Sequence, residues 1–262
     1  MLEVVTVDTL AEAQSAMSER ARFLGGGTLV MARVNYGDQR FDRVVRCRED
    51  LREIRADGSR IVVGSGATMS DIIASRDLAF LAPAARAVGG PAIRNMATVG
   101  GNLVAPHPYG DLTVALLALD ASVILAQGTE QPLPNYLAQR AGLVAAVAIP
   151  RPSGDVFRFR KVSRVKPKGV SVMTLAACLN RSAGRLSSVR VAYGAMAPTP
   201  IRVPAVERAL EGATLDPTGI ARALAVAAEG LSPPTDPLAS SWYRREVAAV
   251  HLKRLLLGEA PR

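Results

Sequence analysis

Cysteine and histidine are both scarce in this 262-residue chain, at two of each. Two thiols, Cys47 and Cys178, cannot hold an iron–sulfur cluster, which takes about four protein ligands. They are not spaced as a redox pair either, so both are expected to be ordinary buried thiols. His107 and His251 stand too far apart to suggest a His-rich metal site. Aromatic residues make up only 4% of the chain, too few for stacking platforms under single-stranded nucleic acid. No apolar run reaches the roughly 18 residues of a membrane span. The first residues, Met1 to Asp8, carry an acid where a secretory leader carries a basic residue, and a cytoplasmic location is the expectation.

Apolar side chains are plentiful, at 49%, and the length suits two domains. The net charge is +9. The arginines are dispersed rather than gathered, so nucleic acid is not the expected partner. The densest basic run, Arg158 to Lys168, reads either as a solvated strand edge and loop or as a surface for an anionic ligand or acidic partner.

Local signals divide the chain into elements. Val4–Val7 alternates as a strand, and Thr9 with Glu12 forms a capping box for a helix reaching about Ser18. A short strand at Arg22–Leu24 runs into Gly25-Gly26-Gly27. Strands are expected at Arg43–Cys47 and Arg60–Gly64, then a helix start at Thr68 and Asp71 and a helix over Asp77–Val88. Pro91–Asp111 reads as a long irregular segment. A helix at Leu112–Leu119 and buried strands at Ala121–Ala126 and Val144–Ile149 follow. Pro150 to Gly154 is a turn-rich linker. Beyond it come three strands, Phe157–Lys161, Val170–Leu179 and Ser188–Gly194, two short helices and a last helix over about Ser240–Leu257. This order predicts an N-terminal domain over 1–155 and a small α+β domain over 156–262 with a three-stranded antiparallel sheet.

Two glycine loops carry most of the chemistry. In Leu24-Gly25-Gly26-Gly27-Thr28-Leu29-Val30, consecutive glycines let backbone N–H groups converge on an anion, and Thr28 adds a hydroxyl. The spacing is neither the Gly-x-Gly-x-x-Gly fingerprint nor a Walker loop, and a ligand-free turn remains an alternative. The second loop, Thr98-Val99-Gly100-Gly101-Asn102, offers two neutral donors, Thr98 and Asn102, beside bare backbone. Asp111 is suited to accept from sugar or ribityl hydroxyls, and equally suited to cap the next helix.

These two loops in this order, with Asp111 nine residues past Asn102, resemble the FAD subunit of the xanthine dehydrogenase and carbon monoxide dehydrogenase family of molybdenum hydroxylases. The resemblance extends to Gly64-Ser65-Gly66-Ala67-Thr68, to Gly194, Pro198, Pro200, Arg202, Glu207, Leu210 and Gly212, and to Tyr243-Arg244. It implies an α+β fold: a two-subdomain FAD-binding domain of the PCMH, or vanillyl-alcohol-oxidase-like, type, followed by the small C-terminal domain. It implies non-covalent FAD, its pyrophosphate near Leu24–Val30, Thr98, Gly100, Gly101 and Asn102, its hydroxyls near Asp111, and Lys161 close by. Read by itself, Lys161 is as readily a solvated strand lysine. Some proteins of related fold attach flavin through a histidine, and His107 lies in the corresponding region, although a structural His107 is the default.

The resemblance further implies an iron–sulfur subunit with [2Fe-2S] clusters and a large molybdopterin subunit as partners, in a dimer of heterotrimers, with electrons leaving through FAD to NAD or another acceptor. One position departs from the pattern: Lys168 stands near an acid usual in the family. The rivals are a stand-alone flavin oxidoreductase of the same fold, which would need its own substrate pocket and acid–base pair, and a scaffold subunit that has lost FAD.

Overall fold

The computed structural model describes residues 2–154, 156–165 and 169–259. Lys168, the position that departs from the family pattern, lies outside the described residues. The chain opens with three strands, β1 (Glu3–Val7), β2 (Ala21–Phe23) and β3 (Arg43–Cys47), in a parallel sheet of order β1-β3-β2. Parallel neighbours require crossovers. Here these are α1 (Leu10–Ser15), started by the Thr9–Glu12 capping box, and α2 (Val30–Asn35), which follows the first glycine loop. Leu10, Ala13, Ala21 and Val45 form the small core beneath.

A second, antiparallel sheet has the order β4-β5-β8-β6-β7, from β4 (Ile54–Asp57), β5 (Arg60–Gly64), β6 (Ser122–Leu125), β7 (Glu130–Pro132) and β8 (Val144–Pro150). Five α-helices bridge β5 and β6: α3 (Met69–Ala74), α4 (Ala82–Arg86), α5 (Pro91–Arg94), α6 (Val99–Leu103) and α7 (Asp111–Ala118), with a 3-10 turn at Ala79–Leu81 before α4. α8 (Leu133–Gln139) links β7 to β8. The Thr68–Asp71 capping box starts α3. The single helix expected over Asp77–Val88 is split, because Pro83 in the first turn of α4 starts a new helix rather than continuing the old one. The segment expected to be irregular contains α5, begun by Pro91, and α6, capped by Thr98.

All eight residues of α7 are buried, which explains why this helix is apolar all round. Its N-cap is Gly110, in a left-handed conformation with φ of +101°, and not Asp111. Asp111 is the first helical residue, and its side chain is engaged elsewhere.

The third sheet is antiparallel in the order β14-β13-β10-β9, from β9 (Phe157–Ser163), β10 (Ser171–Cys178), β13 (Arg190–Gly194) and β14 (Ile201–Arg202), with β11 (Arg181–Ser182) and β12 (Arg185–Leu186) as a separate hairpin. It therefore has four strands instead of the expected three. The added edge strand is only two residues long, held by pairing to Ala192 and Tyr193, so it has no periodicity to read. β10 is buried along its whole length. Ala176 and Ala192 from this sheet join the core around α7. The remaining core of this part gathers α9 (Pro204–Leu210), α10 (Ala221–Ala225) and α11 (Ser241–Leu256).

The basic run has a structural job. Arg158 donates to the carbonyls of Leu255 and Leu256, and Arg160 donates at 2.9 Å to that of Glu259. These carbonyls lie at the last turn of α11 and just past it, where positive charge favours the helix dipole. The last-helix position of His251 suggests a surface or interface residue; in the fold it is buried on the face of α11 packed against the sheet. Cys178 is buried as expected, but Cys47 is half-buried.

Burial, together with the charges of Arg160 and Arg254, lowers the His251 pKa from 6.5 to about 4. The folded chain thus resists a proton that the unfolded chain takes up. Stability is expected to fall as pH drops from about 6.5 toward 4, by roughly 1–2 kcal/mol after solvent screening at the helix end. Denaturant unfolding at stepwise pH measures this. His251→Asn should flatten that part of the curve, and an unchanged slope would remove His251 as its source.

Among the described residues no helix is long and apolar enough to cross a membrane, and no group of three His, Cys, Asp or Glu side chains is placed to hold a metal ion.

Candidate cofactor site

The first glycine loop leaves the sheet at Leu24, whose N–H still donates to Val45 O at 2.8 Å. Hydrogen bonding resumes at Met31, which donates to Gly27 O at 2.9 Å. Between them, the amides of Gly25, Gly26, Gly27, Thr28, Leu29 and Val30 have no acceptor among the described residues, nor does the Thr28 hydroxyl have a partner. Backbone donors are rarely left unpaired unless water or a ligand takes them. The loop sits directly on the second loop. A Cβ on Gly26 would lie 1.5 Å from Met96 O, and one on Gly25 would lie 2.9 Å from Thr98 Oγ1. Only bare backbone permits this approach.

The second loop contributes differently from the first. Gly100 N–H donates to Ser65 O at 2.8 Å, Val99 N–H to Ala67 O at 2.9 Å, and Gly101 N–H to Thr98 Oγ1 at 3.1 Å. An isolated bridge joins Thr68 to Thr98. The Gly64–Thr68 turn is thus the floor on which this loop is built. Its glycine amides are already occupied, and what it offers outward is side chains. Thr98 Oγ1 accepts from Gly101 and keeps its own proton to donate. Asn102 is buried with Oδ1 accepting from Thr113 N–H at 3.1 Å, and the Thr113 hydroxyl lies 3.0 Å from Asn102 O. Its amide nitrogen has no acceptor among the described residues.

Asp111 and Lys161 meet. Lys161 Nζ donates to Asp111 Oδ2 and to Ala87 O, both at 2.8 Å, and their side chains are 13% and 8% exposed. Lys161 is therefore a half-buried ion-pair partner rather than a solvated strand lysine. Asp111 Oδ1 accepts from Ser171 Oγ at 2.6 Å and Thr174 Oγ1 at 2.5 Å. Ser171, Thr174 and Thr113 carry no motif and were not among the residues expected at the site. Only the distant pairing of β10 with α7 reveals the first two.

His107, on the loop before Asp111, is held by Asp236, with Nε2 2.8 Å from Oδ2. Asp236 is in turn gripped by Arg244, which is fully buried and places one guanidinium nitrogen 2.9 and 2.8 Å from its two oxygens. Arg244 also donates to the carbonyls of Val172, Ala239 and Pro234. Burial pushes the Asp236 carboxyl up, but hydrogen bonds from His107, the Ala239 amide and Arg244 outweigh it and hold the group well below the ordinary carboxylate range.

Residues 1–152 match the FAD binding domain in molybdopterin dehydrogenase, a span of more than half the chain. The chain belongs to this family. Residues 158–258 of this FAD-binding subunit match the CO dehydrogenase flavoprotein C-terminal domain. It is 26% identical over 255 residues to the carbon monoxide dehydrogenase medium chain of Afipia carboxidovorans, covering 91% of this chain and 88% of that one. It is 29% identical over 231 residues to the xanthine dehydrogenase FAD-binding subunit of Escherichia coli O157:H7, covering 79% and 78%. Reconstituted CO dehydrogenase from Oligotropha carboxidovorans shares the fold, with a TM-score of 0.89 at 24% identity over 99% of each chain. The FAD-binding subunit is thus a flavoprotein of the molybdenum hydroxylase type, an oxidoreductase component whose cofactor is FAD.

Proposed function

We propose that this chain holds FAD without a covalent bond at the junction of its two glycine loops and serves as the electron-transfer subunit of a heterotrimeric molybdenum hydroxylase. Electrons would arrive from [2Fe-2S] clusters in an iron–sulfur subunit, supplied in turn by a large molybdopterin subunit. They would leave to NAD or another acceptor, in a cytoplasmic dimer of heterotrimers. The relatives' names, a medium chain of carbon monoxide dehydrogenase and an FAD-binding subunit of xanthine dehydrogenase, support a chain that works with others. We place the FAD-binding domain at 1–155, with subdomains meeting near 55, and the C-terminal domain at 156–262.

The row of unpaired amides from Gly25 to Val30 carries this reading. It fits a pyrophosphate, whose charge would satisfy several donors at once. Thr28, Thr98 and the Asn102 amide nitrogen add neutral donors around the same junction. Asp111 has room for one further donor, on Oδ2, which suits a hydroxyl of the ribityl or ribose chain. When bound, FAD supplies the redox chemistry, and the protein supplies position and electrostatics. His107 is engaged by Asp236, which favours non-covalent retention.

The test is an absorption spectrum of the purified full-length chain before and after acid precipitation, followed by an FAD titration. Visible flavin bands that move to the supernatant support the proposal; no bands and no uptake of added FAD would sink it. Asn102→Ala should weaken FAD about tenfold, as for one hydrogen bond to a charged group. Unchanged affinity would remove Asn102 from the site.

A further inference from the structure

Ser171 and Thr174 lie on β10, 60 and 63 residues beyond Asp111, on the far side of the linker. Each is 1% exposed. Both hydroxyls donate to one atom, Asp111 Oδ1, at 2.6 and 2.5 Å. A carboxylate oxygen offers about two lone pairs, so Oδ1 is filled. Lys161 takes one site on Oδ2, leaving a single site there. Two residues along α7, the Thr113 amide donates to Asn102 Oδ1 at 3.1 Å. The first turn of α7 is therefore held on one side by β10 and tied on the other to the second glycine loop.

An apolar strand packed on α7 would suffice for a core, as Ala176 and Ala192 show. Two buried hydroxyls converging on one carboxylate oxygen do more: they select the rotamer of Asp111. We infer that Ser171 and Thr174 are positioning residues for the cofactor site. By occupying Oδ1 they present Oδ2 and Lys161 to the cofactor, and they hold the turn from which Thr113 orients the Asn102 amide. This inference rests on the FAD reading above and assigns the C-terminal sheet a part in it.

The experiment uses the full-length chain stripped of flavin, FAD titration followed by flavin fluorescence, visible circular dichroism of the bound flavin, and thermal unfolding without FAD. Thr174→Val keeps the shape and removes the donor. It should raise the FAD dissociation constant about tenfold and change the flavin dichroism, while Thr174→Ser, which restores the hydroxyl, should return both close to wild type. Ser171→Ala combined with Thr174→Val should weaken binding further; should that double variant not fold, the Val and Ser variants decide the matter. Wild-type affinity in Thr174→Val would overturn the inference. So would a Thr174→Ser variant that is folded yet as weak as Thr174→Val. If the wild-type chain takes up no FAD, the cofactor reading fails and this inference with it. If the wild type binds and the variants match it, only the positioning role is lost.

Discussion

Gly26→Ala is expected to purify without flavin. The backbone at Gly26 is not in the left-handed region, so alanine is tolerated there conformationally. The obstacle is the Met96 carbonyl oxygen, 1.5 Å from where the new Cβ would stand. That atom is backbone, and no rotamer change relieves the contact. Either the Gly25–Val30 loop or the Met96–Thr98 segment must move, and the row of free amides separates from Thr98 and Asn102. Losing two charge-assisted hydrogen bonds, at about 1.5–3 kcal/mol each, weakens FAD by roughly a hundredfold to ten-thousandfold. The loop stands outside the main cores, so the apo chain should still unfold cooperatively. FAD titration beside thermal unfolding measures both. Gly27→Ala is the comparison: its φ of +71° costs strain, but its nearest neighbours are side-chain atoms 3.2 and 3.3 Å away, so a smaller loss is expected. Wild-type FAD affinity in Gly26→Ala would mean that the two loops do not form one site.

Arg244→Met should produce the largest loss of stability. Arg244 is fully buried and holds both oxygens of Asp236 as well as three carbonyls from two segments. Methionine fills the space of the stem but leaves a half-buried carboxylate without its guanidinium and three carbonyls without their donor. Removing the buried half of this pair costs about 2–4 kcal/mol, below the range for a fully buried pair, and lowers the midpoint of thermal unfolding by about 5–10 °C in a chain of this size. Arg244→Lys should recover little, because an ammonium cannot reproduce the planar fork that serves Asp236 and the carbonyls together. Since Asp236 also holds His107, the loop leading to Asp111 loses an anchor as well. A shift of less than about 2 °C would show that this clamp contributes little to the folded state.

Much of the local structure was legible residue by residue. The capping boxes at Thr9–Glu12 and Thr68–Asp71 involve partners three apart. The strands at Arg43–Cys47 and Arg60–Gly64 match their expected bounds because apolar runs between polar flanks are local signals. Both glycine loops stood out for the same reason: consecutive glycines show in composition, whatever they later face. The short helices α5 and α6 were not legible, since each is a single turn stabilised by proline or a threonine cap and by packing rather than by any period.

The sequence by itself determined the order of the elements, the two bare-backbone loops and the family to which they belong. It named Asp111 and Lys161, but as separate residues. The tertiary structure alone decided that they form an ion pair largely withdrawn from solvent, that Ser171 and Thr174 fill one oxygen of that pair, and that the first loop offers amides while the second offers side chains. It also moved His251 inside and turned Arg158 and Arg160 into a cap for a helix end. The physical reason is separation along the chain. Asp111 meets Thr174 across 63 residues and His107 meets Asp236 across 129, so these contacts exist only once sheets and helices have packed, and no local pattern encodes which hydroxyl, carbonyl or carboxylate will arrive.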